Sequence, residues 1–235
     1  MSPHHSSLIA HHGIFVTGTD TGVGKTLVAC ALLRAIAARG KSVVGMKPVA
    51  AGAQADARGA LINDDVSRIM AAGNVAAPRT TVNPYCFAPA IAPHIAARAS
   101  GVEIELGEIL AAYGRLAAHA EFVVVEGVGG FCVPLNARED TADLARRLGL
   151  PVLLVVGMRL GCLNHALLTA QAIRSKGLTL AGWCANHIEP ELAVTAENIT
   201  ALAERLAAPL LGEIEFTAAP DPQRIAALLD PSHLF

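Results

Sequence analysis

The sequence predicts a doubly wound α/β fold, a mostly parallel sheet flanked by helices on both faces. Three observations predict it. Apolar runs of strand length recur at 14–16, 42–46, 122–125, 152–156, 180–185 and 210–214, without the period-two alternation of a sheet that keeps one face in water. Segments of helical character separate most of them, which is the order of βα units. The 235 residues are 53% hydrophobic but only 4% aromatic, so Ala, Val, Leu and Ile carry the apolar weight. Small side chains suit packed helices, and branched ones suit strands buried on both faces.

Residues 1–12 hold His4, His5, His11 and His12 with Ser and Pro, and are expected to form a flexible tail. Residues 13–235 are expected to form a single domain. Ile14-Phe15-Val16 is its first strand. A Gly-rich turn follows, and Val28, Ala31, Leu32, Ala35 and Ile36 lie at helical spacing between Leu27 and Arg39. Gly40 ends that helix. Ser42 to Met46 is the next strand. Later helices are expected at about 107–119, 139–149, 162–176, 191–207 and 221–229. Residues 50–106, rich in Ala, Pro and Asn, read as irregular.

Composition excludes several functions. With 18 basic and 20 acidic residues the net charge is −2, whereas a phosphate-backbone binder needs a basic excess, so no nucleic-acid partner is expected. The uncharged stretch between Arg79 and Arg98 contains Pro84, Pro89 and Pro93, and Leu148 to Met158 is too short to span a bilayer, so no membrane partner is expected either. The first charged residue is Asp20, and no basic leader precedes an apolar stretch. Five cysteines (Cys30, Cys86, Cys132, Cys162 and Cys184), odd in number and without a CxxC pair, suit free thiols in a reducing cytoplasm.

The strongest chemical signal is Gly18-Thr19-Asp20-Thr21-Gly22-Val23-Gly24-Lys25-Thr26, directly after a strand and directly before a helix. That is the setting of a phosphate-binding P-loop. Backbone N–H groups at the helix start face a phosphate, and the helix dipole adds positive potential. Lys25 would reach the β- and γ-phosphates, and the Thr26 hydroxyl would hold Mg²⁺. Gly18 and Gly24 are separated by five residues rather than the usual four. The second signal is Glu126 after Val123-Val124-Val125 and before Gly127-Val128-Gly129-Gly130. A carboxylate at a strand's C-terminal end faces the same crevice and suits a Mg²⁺ shell. The third is Lys47 in Lys47-Pro48-Val49-Ala50-Ala51-Gly52. It is either a solvated surface lysine or a cation that stabilises a transferring phosphoryl group or holds an anionic substrate. The fourth is Asn63-Asp64-Asp65, where either Asp is a helix N-cap or a Mg²⁺ ligand, and spacing alone does not choose.

These residues resemble the dethiobiotin synthetase family. The matching segments are Phe15 to Thr26, Lys47-Pro-Val-Ala, Thr81-Val-Asn-Pro-Tyr, Ala92-Pro-His-Ile, Val125-Glu-Gly-Val-Gly-Gly, Leu160-Gly-Cys-Leu-Asn-His-Ala, Ala181-Gly-Trp-Cys-Ala-Asn and Pro209-Leu-Leu-Gly-Glu-Ile. They run in family order from Gly13 to about Phe216, and the five-residue loop spacing is itself a family trait. The resemblance implies a P-loop NTPase-type fold and a ligase that joins diaminopelargonic acid and CO₂ at the expense of ATP. A carbamate on one amine attacks the γ-phosphate, and the neighbouring amine closes the resulting carbamic–phosphoric anhydride to dethiobiotin, releasing ADP and phosphate.

The resemblance also implies roles. Thr26, Asp65 and Glu126 would be the Mg²⁺ ligands, which selects Asp65 over Asp64. Lys25 and Lys47 would be the catalytic cations. Gly22, Val23, Gly24, Lys25, Thr26 and Leu27 would wrap the phosphates of ATP, together with Asp65, Glu126, Gly127, Val128 and Gly129. Asn186 would recognise adenine, with Glu215, Phe216 and Thr217 lining the base pocket. Substrate would meet Lys47 and Ala51. Its carboxylate would meet Gly161, Cys162, Leu163 and Asn164 at a helix start supplied by the second subunit of a homodimer. Three positions depart from the family pattern. Ala51 stands where a Ser is common, His187 where an Asp is common and Asn198 where a Tyr is common. Two other classes share the nucleotide-binding signal. Dimeric ATPase switches of the plasmid-partitioning or septum-positioning type carry a signature lysine where this chain has Asp20. Amidating ligases of corrin synthesis add a glutaminase domain that this chain has no room for.

Overall fold

A computed structural model describes residues 12–190 and 194–234. The elements in chain order are β1 (His12–Gly18), α1 (Lys25–Ala38), β2 (Val43–Met46), β3 (Val49–Ala51), β4 (Gln54–Ala55), β5 (Leu61–Ile62), α2 (Asp64–Ala72), α3 (Arg79–Val82), β6 (Tyr85–Phe87) and α4 (Pro93–Ala99). There follow α5 (Leu106–Ala117), β7 (Phe122–Glu126), α6 (Thr141–Leu148), β8 (Val152–Met158), α7 (Cys162–Ser175), β9 (Leu180–His187), α8 (Thr195–Leu206), β10 (Leu210–Ile214), α9 (Pro222–Ala226) and a short 3₁₀ turn at Ser232–Leu234.

Six strands form the main sheet in the order β10-β9-β8-β1-β7-β2. Every neighbouring pair is parallel. All five residues of β7 and all seven of β8 are buried, as a sheet covered on both faces requires. Successive side chains of a strand point to opposite faces, so each strand feeds two cores. Phe15, Val123, Val125 and Leu154 belong to one, beneath α4 to α8. Ile14, Val16, Val124, Leu153 and Val155 belong to the other, beneath α1, α2 and α9. Helix α1 lies between α2 and α9 and packs on both. That explains its run of buried residues from Val28 to Leu33, too broad for a single apolar stripe.

Strand order reverses around β1. The chain leaves β1 for β2 on one side, returns through β7, and crosses to β8, β9 and β10 on the other. Such a reversal opens a crevice beyond the carboxyl ends of the strands. The loop after β1, Glu126 at the end of β7, Lys47 after β2 and Asn186 near the end of β9 all reach that edge.

The structure corrects the sequence reading in three places. Residues 50–106 are not irregular, for they hold the β3–β6 pair, the β4–β5 hairpin and helices α2, α3 and α4. Elements of two to nine residues are too short to establish a period. The last helix stops at Ala226 rather than 229. The tail expected at 1–12 lies outside the described residues except His12, which joins β1 opposite Phe122. The helix expected at 191–207 is α8, beginning at Thr195, and residues 191–193 lie outside the described residues.

Candidate active site

The loop after β1 folds back on itself, and two glycines make this possible. A Cβ on Gly18 would lie 2.6 Å from Val23 Cγ2 and 3.0 Å from Lys25 Cγ. Gly24 has φ +93, and a Cβ there would lie 2.2 Å from Asn186 Nδ2. Gly24 is the N-cap of α1, and no side chain caps that helix. Its first N–H groups are therefore available to an anion, and the helix dipole favours one. Lys25 is buried, with Nζ donating to the backbone oxygen of Asp20 at 2.8 Å. Burial pulls its pKa down to about 8, against the opposing pull of the Glu126 carboxylate. A lysine weakened in this way gains from the negative charge of a phosphate.

Glu126 ends β7 and is 1% exposed. Its Oε1 accepts from Thr26 Oγ1 at 2.9 Å and from Lys47 Nζ. Its Oε2 is buried without a hydrogen-bond partner among the described residues. Lys47 also donates to Asp65 Oδ2 at 3.2 Å. Lys47 is 4% exposed, so the reading of it as a solvated surface lysine is set aside. Burial alone would lower its pKa, but the Glu126 and Asp65 carboxylates override that and raise it. For Asp65, burial raises the pKa, and the Lys47 ammonium more than offsets this and lowers it. The group is thus a lysinium between two carboxylates, with a hydroxyl on one of them. Breaking such a buried pair from one side costs about 3–5 kcal/mol.

Local structure sets these positions. Asn63, not Asp64 or Asp65, is the N-cap of α2, its side chain accepting from Val66 N at 3.3 Å and donating to Ala51 O at 3.2 Å. Both aspartates fall in the first turn, where Asp64 faces solvent and Asp65 faces the cavity. Asn83 donates to the backbone oxygen of Lys47 at 2.7 Å and to that of Tyr85 at 2.9 Å. The Thr81-Val-Asn-Pro-Tyr segment therefore fixes the chain at Lys47, a role that its spacing in sequence did not reveal.

The group opens into a cavity of 840 Å³. Of the residues singled out in the sequence, Gly22, Gly24, Lys25, Thr26, Leu27, Lys47, Ala51, Asp65, Glu126, Val128, Gly129, Asn186, Glu215, Phe216 and Thr217 line it. Val23 does not, because its side chain is buried in the core and its carbonyl accepts from Asn186 Nδ2 at 2.9 Å. Gly127 is also off the wall, packed against the Phe15 ring, whose Cζ would lie 3.0 Å from a Cβ there. Gly161, Cys162, Leu163 and Asn164 are outside this cavity: Cys162 is buried in the core at the start of α7, and Leu160 before it is 92% exposed. His187 lines the cavity with Nε2 2.9 Å from Glu213 Oε1. Lining residues that sequence reasoning missed are Arg68, Ala90, Ile91, Val133, Ile188 and Pro220. Arg68 alone had a signal, its place one helical turn beyond Asp65.

The donor set of Thr26, Asp65 and Glu126 is all oxygen, and the orphaned Glu126 Oε2 has a lone pair to give. Hard oxygen donors suit Mg²⁺, which takes one or two carboxylates and completes its shell with water and substrate phosphate oxygens. Among the described residues no three His, Cys, Asp or Glu side chains gather into a metal cage. No helix among them is long and apolar enough to cross a membrane, and all five cysteines are free.

Comparison with known proteins follows the same lines. A family model described as an AAA domain matches residues 12–224. The ATP-dependent dethiobiotin synthetase BioD of Aromatoleum aromaticum is 55% identical over 92% of this chain and 95% of its own. That of Nitrosospira multiformis is 55% identical over 93% and 94%. Among solved structures, the MinC:MinD cell division protein complex of Aquifex aeolicus has a TM-score of 0.53 at 16% identity, covering 88% of this chain and 82% of its own. MinD from the same organism scores 0.51 at 16% identity, covering 91% and 84%. At that identity the likeness is one of fold.

Proposed function

This chain belongs to the dethiobiotin synthetase family, and from that premise we propose how its residues divide the work of forming dethiobiotin. The reaction is an ATP-dependent ligation that makes C–N bonds in biotin biosynthesis. Phosphoryl transfer asks the protein mainly for positioning and charge neutralisation. The observation that carries the assignment is the Lys47–Glu126–Asp65–Thr26 group at the mouth of the P-loop.

The N–H groups of Gly22 to Leu27 cradle the phosphates of ATP, with Val128 and Gly129 facing them across the crevice and Gly127 packed behind them against Phe15. Lys25 leaves the Asp20 carbonyl for the β- and γ-phosphates. Asn186, fixed by its bond to Val23, presents the rest of its amide to adenine, and Glu215, Phe216 and Thr217 flank the base. Thr26, Asp65 and Glu126 would hold Mg²⁺, which would neutralise charge on the phosphates. Lys47 is then available to the carbamate that diaminopelargonic acid forms with CO₂ and to the γ-phosphoryl group it attacks. The neighbouring amine closes the anhydride. Ala51 offers only a methyl group to the diamine, and its carbonyl is already taken by Asn63. Gly161 to Asn164 act on the substrate carboxylate of a second subunit, in a homodimer, and the enzyme works in the cytoplasm.

The dimeric-switch reading is not favoured. Asp20 occupies the place of that class's signature lysine and is paired with Arg159 at 2.6 Å.

Lys47→Ala tests the assignment. Removing a charge-stabilising group lowers turnover by ~10²-fold or more. Turnover within a factor of two of wild type would remove Lys47 from the mechanism.

A further inference from the structure

Two lysines and one arginine line the cavity, and of these three only the arginine is uncommitted among the described residues. Lys47 is shared between Asp65 and Glu126, and Lys25 is bonded to the Asp20 carbonyl. Arg68 lines the same cavity yet makes neither a hydrogen bond nor an ion pair among the described residues. It lies on α2 one turn beyond Asp65, so the two side chains share a face of that helix. Its charge is felt both at Asp65 and at Cys30, in the second turn of α1. Arg68 thus belongs to the stretch of cavity wall that α2 contributes together with Asp65, where α2 packs on α1.

Thr26, Asp65 and Glu126 put the terminal phosphate beside that wall, an inference resting on the functional reading above. A polyphosphate brings up to four negative charges. The two lysines arrive already partnered by carboxylate and carbonyl groups. A planar guanidinium with five donors and no partner suits the oxygens of a phosphate chain better than any other group in the cavity. We infer that Arg68 is a nucleotide-binding residue, closing on the β- and γ-phosphate oxygens from the α2 side and favouring triphosphate over shorter nucleotides. Its exposed position makes it an adjustable clamp at the rim, distinct from the buried lysines that meet the reacting atoms.

The test compares wild type with Arg68→Gln and Arg68→Lys. Calorimetric binding of ATP, ADP and AMP, each with Mg²⁺, is measured beside KM for ATP and for diaminopelargonic acid. Loss of one charge-assisted contact predicts ATP affinity down by about tenfold in Arg68→Gln. ADP should lose less, AMP nothing, and Arg68→Lys should recover part of the loss. KM for ATP should rise and KM for the diamine should stay, with the thermal midpoint of the nucleotide-free protein unchanged. Equal ATP affinity in wild type and Arg68→Gln overturns the assignment. So does a loss of equal size for all three nucleotides, or a change confined to KM for the diamine. Wild type that binds no ATP would overturn the functional reading beneath it instead, and with it the role of Arg68.

Discussion

Asp64 and Asp65 are chemically identical and adjacent, yet the fold gives them different surroundings. One step along a helix turns a side chain by about 100°. With Asn63 as the cap, that step leaves Asp64 in solvent and brings Asp65 to the Lys47 ammonium. Spacing named both as candidates and could not separate them, because the decision lies in which residue caps α2; only the family resemblance selected Asp65. Asp65→Ala should therefore abolish most Mg²⁺-dependent turnover, while Asp64→Ala should stay within a few-fold of wild type. Titrating activity against Mg²⁺ in both variants checks this, and equal effects would undo the distinction. The P-loop was legible because all its parts lie within nine consecutive residues. The Lys47–Glu126 contact was not, because its partners are 79 residues apart and meet only when β2 and β7 pair.

At the scale of elements, the central strands were legible because continuous apolar runs can be buried only between two layers of helix. The segment from 50 to 106 was not, because β3 to β6 have two or three residues each and take their conformation from neighbours. It nevertheless supplies Ala51, Asp65, Arg68 and the Asn83 anchor. Helix α7 carries a prediction of its own. Gly161, with φ +94, starts it without a side-chain cap; the Cys162 N–H donates to the Arg159 carbonyl at 3.0 Å, which leaves those of Leu163 and Asn164 for an anion. They do not face the cavity of the same chain. If they serve a substrate carboxylate, a second copy must bring them. Sedimentation velocity should thus report a dimer at assay concentrations, and a monomer with full activity would contradict a shared site.

At the scale of the whole molecule, the reversal of strand order around β1 gathers the P-loop, Lys47, Glu126 and Asn186 from four strands onto one edge. The same architecture appears in the cell division protein MinD at 16% identity, so fold alone does not choose the chemistry. The chemistry is proposed from the content of the crevice, with two lysines, two carboxylates and a threonine hydroxyl gathered where charge on a transferring phosphoryl group would need neutralising. The most direct test is ADP release by the wild-type protein with Mg²⁺, ATP and bicarbonate, with and without diaminopelargonic acid, followed by mass spectrometry of the product. The account predicts ADP release that requires the diamine and a product with the mass of dethiobiotin. ATP hydrolysis indifferent to the diamine, with no product of that mass, would contradict it.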